Sequence, residues 1–358
     1  MGPSLAAKAR VSSAIEVTTS MGAPASHAAG AAAVRHVLVC LDRSPFSDSC
    51  LRQARFIAEA FGAKVTLLHV MPSSQGKSEA SRADALEWQI GKREMAQYLA
   101  DTRESLGPLP GEVVTELTQG HPAEQIVVMA REIGADLTIL SSRGESGEDG
   151  CELGSTAQHV FALAPGSVLL AQPTGSAQVP PRRFVVALDG STRSECVLPL
   201  VAELARHNGA EVLLVHVVSD PTPTAVLSDA DDMRLAHSLA SRVQANAERY
   251  LSRVRARLLR EVPLVKTLVL LRAEERQALL DVAAREGADM VILTAHGSTC
   301  NAERTFGSVA SYLLAHAQLP LFVFQDIPRT DLDPAQAHAH SQHHVARVPL
   351  SARPPEGD

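Results

Sequence analysis

Twice in this chain a glycine is followed, with nine residues between, by a glycine–serine pair: Gly144 with Gly154-Ser155, and Gly297 with Gly307-Ser308. Each first glycine stands a few residues beyond a short apolar run, TIL in one case and VIL in the other. A glycine just past a strand lets backbone approach a ligand, because no Cβ stands in the way. A Gly-Ser pair that opens a helix offers free amides, a hydroxyl and the positive end of the helix dipole. Together these parts make a cradle for phosphate. The plainer uses of the same residues are tight turns at Gly144 and Gly297 and helix N-caps at Ser155 and Ser308.

Other residues accompany the motif in both places. Asp42 and Asp189 close the runs VLVCLD and VVALD. A carboxylate there can accept hydrogen bonds from a ribose, hold a hydrated divalent cation, or cap the following helix. Val70 and Val217 end LLHV and LVHV; their side chains suit a core, while their backbone can pair with an adenine edge. His69 and His216 read as hydrogen-bonded structural residues, and His296 beside the second loop reads as solvent-exposed. Cys151 and Cys300 fall inside the loops, where the acidic neighbours of Cys151 favour its protonated thiol. His338, His340, His343 and His344 cluster near the end, with a metal-chelating i, i+4 spacing only if that stretch is helical.

The spacing shows a duplication. Asp42 to Asp189 and Val70 to Val217 are both 147 residues, whereas Ser141 to Thr294, Gly144 to Gly297 and Gly154 to Gly307 are all 153. A domain-sized period, too long for a solenoid repeat, means one α/β domain used twice. The boundaries read as a disordered leader over 1–34, a first domain over 35–172, a linker over 173–182, a second domain over 183–326 and a mobile tail over 327–358. In the first copy, strands are expected at 36–41, 65–70, 112–117, 136–140 and 168–171. A helix is expected after Ser44 and Ser47, closed by Gly62, and Pro122 opens another. A long polar helix covers 79–106 with apolar positions at Leu86, Ile90 and Tyr98. The second copy repeats the order, with strands at 184–188, 212–217, 264–271, 290–293 and 321–324 and a long helix over 229–259. Alternating strands and helices imply two open, parallel, five-stranded sheets with helices on both faces. In such sheets ligands bind beyond the carboxyl ends of strands, where Asp42, Val70 and Ser141 fall.

Composition narrows the functions. Aromatic residues are only 3% of the 358, which argues against base-stacking platforms for single-stranded nucleic acid. A net charge of −7 argues against polyanion binding. No apolar run reaches the roughly 18 residues of a membrane span. Five cysteines with no C-x-x-C pair fit thiols in a reducing compartment, so a cytoplasmic location is expected. The P-loop pattern and a G-x-G-x-x-G after the first strand are absent, and no order of residues marks a catalytic centre.

Both halves resemble universal stress protein domains, over about 35–172 and 184–326. The resemblance rests on the phosphate pattern G-x2-G-x9-G-[ST], on GHPAEQI at 120–126 and on the Pro320 that precedes the last strand. It implies an adenine-nucleotide alpha-hydrolase-like fold, paired through the last strands as an internal pseudo-dimer, with room for a further homodimer. It implies ATP as ligand, with Mg2+ as an accompanying ion, and an unidentified protein partner in a stress response. Asp42, Val70, Ser141, Gly144, Gly154 and Ser155, with Asp189, Val217, Thr294, Gly297, Gly307 and Ser308, then contact nucleotide. Activity is at most weak ATP hydrolysis; a nucleotide-dependent transferase or a module that has lost nucleotide are the alternatives.

Two departures bear on affinity. The first motif glycine is replaced by Ser141 and by Thr294, and β-branched Thr294 adds bulk where phosphate approaches. The first loop also carries Glu145, Glu148, Asp149 and Glu152. One carboxylate about 7 Å from a phosphate charge costs roughly 0.6 kcal/mol in water and about 2.4 kcal/mol at an effective dielectric constant of 20. Charge therefore favours the second copy as the better site.

Overall fold

The computed structural model describes residues 34–72, 82–144, 153–172, 180–220, 230–272, 274–298 and 306–326. The expected leader up to residue 33, the tail, most of the linker, the four acidic loop residues, Cys151, Cys300 and the histidine cluster lie outside the described residues, while Val34, expected in the leader, is buried in the core.

The first copy runs β1 (His36–Cys40), α1 (Ser47–Phe61), β2 (Lys64–Met71), α2 (Arg82–Ser105) and β3 (Val113–Gln119). It continues with α3 (Pro122–Glu132), β4 (Leu137–Ser141), α4 (Ser155–Leu163) and β5 (Ser167–Ala171). The second copy follows as β6 (Arg183–Ala187), a 3₁₀ turn at Ser194–Val197, α5 (Leu198–Asn208), β7 (Glu211–Ser219) and α6 (Ala230–Leu258). It ends with β8 (Val265–Arg272), α7 (Glu275–Arg285), β9 (Met290–Thr294), α8 (Ser308–His316) and β10 (Leu321–Phe324).

The strand order is β3-β2-β1-β4-β5-β10-β9-β6-β7-β8. Every pairing within a copy is parallel. The pairing between copies is antiparallel, with Val168 opposite Val323, Leu169 opposite Phe322 and Leu170 opposite Leu321. The two five-stranded sheets expected from the sequence thus meet edge to edge through their last strands and form a single ten-stranded sheet. The central strands are apolar on both faces because helices cover both faces.

One helical layer holds α1, α2, α5 and α6, and its core includes Ile57, Leu99, Leu204 and Leu251. The other holds α3, α4, α7 and α8, around Ile126, Phe161, Leu279 and Leu313. Each core takes residues from both copies. Phe56 of α1 packs on Phe184 of β6 at 6.3 Å between rings, and Phe161 of α4 meets Phe306 edge-on at 5.9 Å. Polar groups close the same seam: Gln172 Nε2 donates to the Ala317 carbonyl, and the Gln325 amide donates to Ser167 Oγ.

Local expectations fare unevenly. Gly62 ends α1 in the left-handed region at φ 64°, as its lack of a Cβ allows. The N-cap of α1 is Phe46, with no side-chain cap; Ser47 Oγ instead donates to Asp42. On α2, Leu86 and Ile90 are exposed, and Met95 and Leu99 are the residues turned inward. The repeated GAD sequence has a structural use. Asp136 accepts from the amides of Arg35 and His36, and Asp289 from those of Arg182 and Arg183, which fixes where β1 and β6 begin.

A shared core makes a testable demand. Phe322→Ala removes a fully buried ring from the seam and should cost about 3–5 kcal/mol. The single tryptophan, Trp88, lies in the other copy, on α2. In urea, Trp88 fluorescence and far-ultraviolet circular dichroism should move to the same lower midpoint in this variant. A Trp88 transition left unmoved would show that the copies unfold independently.

Candidate functional site

Among the described residues, each copy has a cleft over the carboxyl ends of its first and fourth strands. The cleft of copy one is about 570 Å³ and is lined by Asp42, Val70, Ser141, Gly144, Gly154 and Ser155, all six positions nominated from the sequence. The cleft of copy two is about 530 Å³ and is lined by Asp189, Val217, Thr294, Gly297, Gly307 and Ser308. The nominated strand ends are close to the observed ones, since β2 runs one residue past Val70 and β7 two past Val217.

Geometry explains why the loops need glycine. A Cβ on Gly297 would lie 2.3 Å from Asp189 Oδ2, and one on Gly144 would lie 2.8 Å from Asp42 Oδ2. The carboxylate of each copy packs against the loop exactly where a side chain would stand. Asp189 is also held by hydrogen bonds. Its Oδ1 accepts from the Ser191 amide and hydroxyl at 3.0 and 2.6 Å, and its Oδ2 from the Ser298 amide at 2.5 Å. Partial burial alone would raise its pKa, but the bonds from Ser191, Ser298 and Ser194 outweigh it and hold the carboxyl below the usual aspartate range. Asp42 Oδ1 accepts from the Ser44 amide and the Ser47 hydroxyl in the same way.

The residues that replace the first glycines have their hydroxyls engaged. Ser141 Oγ donates to the Arg143 carbonyl at 2.6 Å, and Thr294 Oγ1 to the His296 carbonyl at 2.7 Å. Both hydroxyls turn back into their own loop and tighten it. The helices begin as the cradle requires, but their N-caps are Gly154 and Gly307, and Ser155 and Ser308 are the first helical residues. The amides of Gly154 and Gly307 are taken by Ser142 and Ala295 carbonyls. Free donors therefore start at the serines.

The two clefts differ in charge. Arg143 lines the first. At the same register position the second has His296, which is only 2% exposed, contrary to the solvent-exposed reading. Its amide and Nδ1 both lie 3.0 Å from Asp326 Oδ1, and Arg193 Nη1 donates to Asp326 Oδ2 at 2.7 Å. Asp326 thus brackets the loop after β6 to the loop after β9. Burial would raise its pKa, yet the hydrogen bonds of His296 and Arg193 keep it below the ordinary 3.8. The paired histidines also differ: His69 Nδ1 lies 2.8 Å from the Leu41 carbonyl, while His216 Nδ1 has no partner and burial lowers its pKa.

Sequence reasoning did not single out Arg143, Arg193, Glu275 or Asp326. Arg143 was detectable as the cation of SSRG, and Glu275 as the residue in register with Pro122. Arg193 and Asp326 are 133 positions apart, and no local pattern joins them. Among the described residues no group of three His, Cys, Asp or Glu side chains could hold a metal ion, and no helix is long and apolar enough to cross a membrane.

Fold and clefts define a tandem, doubly wound α/β protein with a strand-end cleft in each copy. The model of the universal stress protein family matches residues 33–172 and again 181–325, and the chain belongs to that family. A universal stress protein of Mycolicibacterium smegmatis is 26% identical over 296 residues, covering 80% of this chain and 96% of its own length. A universal stress protein of Thermus aquaticus is 31% identical over 135 residues, covering 37% of this chain and 96% of its own. Among solved structures, a universal stress protein from Archaeoglobus fulgidus superposes with a TM-score of 0.54 at 16% identity, over 82% of this chain and 98% of its own. That likeness concerns the fold.

Two outcomes follow. Because Asp326 is depressed in the folded state, its contribution is fully present above the unfolded value and is lost as pH falls through the folded one. Asp326→Asn should cost about 2 kcal/mol at neutral pH, since Arg193 is partly exposed. The gap to wild type should close below about pH 4. A gap that does not change with pH would remove the ionic role. Gly297→Ala should destabilise by about 1–3 kcal/mol, and Gly144→Ala by less, because only the former is pressed to 2.3 Å. Urea melts of the two variants check the order, and the reverse order would contradict the packing account.

Proposed function

We propose that this chain binds adenine nucleotide, ATP in the first instance, and works as a stress-response module that senses nucleotide or engages a protein partner. The observation that carries the reading is the convergence of all six nominated residues of each copy on one strand-end cleft. The clefts have the size of small-ligand sites. Each also has a backbone approach that a Cβ would block, and a helix start that leaves amides for an anion.

In this reading phosphate meets Gly144, Gly154 and Ser155, or Gly297, Gly307 and Ser308, and the Val70 or Val217 backbone meets the base. Asp42 or Asp189 faces the ribose, or a hydrated Mg2+ brought in with the phosphates. The asymmetry between copies has two sides. The acidic residues of the first loop favour the second cleft, while Arg143 stands in the first cleft at the position where the second has His296, buried against Asp326. The second cleft remains the proposed better ATP site, with Gly297 the more sensitive glycine. We place the protein in the cytoplasm, consistent with free thiols at Cys40, Cys50 and Cys196.

Thermal unfolding with and without ATP and magnesium tests the reading. A ligand at 100 times its dissociation constant adds about 2.7 kcal/mol to stability. ATP should raise the unfolding temperature of wild type, and Gly297→Val should lose most of that rise. No rise at millimolar ATP would favour a module without nucleotide. Multiple-turnover hydrolysis abolished by Asp189→Ala would favour the enzyme alternative.

A further inference from the structure

We infer that Glu275 makes the second cleft selective for a purine edge with two adjacent N–H donors, the guanine pattern, over the adenine pattern. The inference rests on the nucleotide reading above: it keeps the order of the two clefts for ATP and adds that the second cleft takes a guanine base more tightly than an adenine base.

The two copies can be compared in register. α3 begins at Pro122 and α7 at Glu275, and each of these first residues lines the cleft of its own copy. Copy one therefore offers at this point a ring that neither donates nor accepts. Copy two offers a carboxylate. Its direction is fixed by Ser219, whose hydroxyl donates to Glu275 Oε1. Ser219 is two residues beyond Val217 on β7, so both side chains lie on the same face of the sheet. The carboxylate is thus held over the end of β7 beside Val217.

The position suits a base. Gly297, Gly307 and Ser308 belong to the β9 side of the cleft, and β6 lies between β9 and β7. Crossing two strand spacings takes about 10 Å, close to the reach of a nucleoside monophosphate from phosphate to base. A ligand anchored by its phosphate on the β9 side brings its base to Glu275, with Val215 and Leu279 as apolar walls.

A carboxylate accepts and cannot donate, and it keeps acceptor capacity after taking the one Ser219 bond. Adenine presents one amino donor beside a ring nitrogen whose lone pair would face the carboxylate. Guanine presents its ring N–H and exocyclic amino group side by side, both donors. A first-turn acid also stabilises a helix through the dipole, but that effect would not discriminate between bases.

The test uses the full chain and calorimetric titration with GMP, AMP and IMP. GMP should bind the second cleft about tenfold more tightly than AMP, the order expected for a paired donor–acceptor contact. IMP, which lacks the amino donor, should fall between them. Glu275→Gln should erase most of the preference, because an amide can turn to offer adenine both a donor and an acceptor. Unfolding without ligand verifies that the variant is folded. An equal GMP-to-AMP ratio in wild type and Glu275→Gln would overturn the inference while leaving nucleotide binding intact. Failure of all three nucleotides to bind wild type would overturn the nucleotide reading and the inference with it.

Discussion

The antiparallel contact between β5 and β10 is the constraint on which the rest of the arrangement depends. Both strands are apolar, and Val168, Leu169, Leu170, Leu321, Phe322 and Val323 are all essentially fully buried. Left open, either edge would present unpaired backbone and a hydrophobic ladder to any other chain. Pairing them removes both edges at once and makes each face of the sheet one continuous core. It also fixes the positions of the last strands. The carbonyls of Ala171 and Phe324 receive the amides of Ser142 and Ala295, the residues from which the cleft loops depart. The seam therefore reaches the clefts through two backbone hydrogen bonds.

Within each cleft the decisive contact is the carboxylate against the loop glycine. It explains a pairing of residue types that phosphate chemistry alone does not require. The aspartate is part of the loop's scaffold, and glycine is needed to make room for it. Duplication then let the copies diverge around a common frame. Copy one places Arg143 and Pro122 at its cleft, whereas copy two has a buried His296–Asp326 pair joined by the half-exposed Arg193, and Glu275. Two sites with the same skeleton and different charge need not take the same ligand.

Much of this was legible beforehand. The two offsets exposed the duplication, strand-length apolar runs marked all ten strands to within two residues, and the motif residues converge as expected. What stayed hidden depends on contacts distant in sequence. His296 looked exposed because its environment is Asp326, thirty residues later. The serines after Gly154 and Gly307 looked like caps, yet cap placement depends on backbone angles set by the loop's return to Ser142 and Ala295. The hydroxyl bond of Thr294 to the His296 carbonyl was not legible, because a hydroxyl's direction cannot be read from its neighbours. The apolar positions of α2 misled in a different way, since Leu86 and Ile90 lie on the outer part of a helix longer than the sheet it covers with Leu99.

Amide hydrogen exchange on the full chain, with and without ATP, tests the central claim most directly. The account predicts that the paired amides of β5 and β10 exchange as slowly as those of β1 and β6 whether or not nucleotide is present. The amides at Ser155 and Ser308, which open α4 and α8, should slow only when nucleotide is added. Rapid exchange along β5 and β10 would contradict the single ten-stranded sheet and, with it, the placement of both clefts.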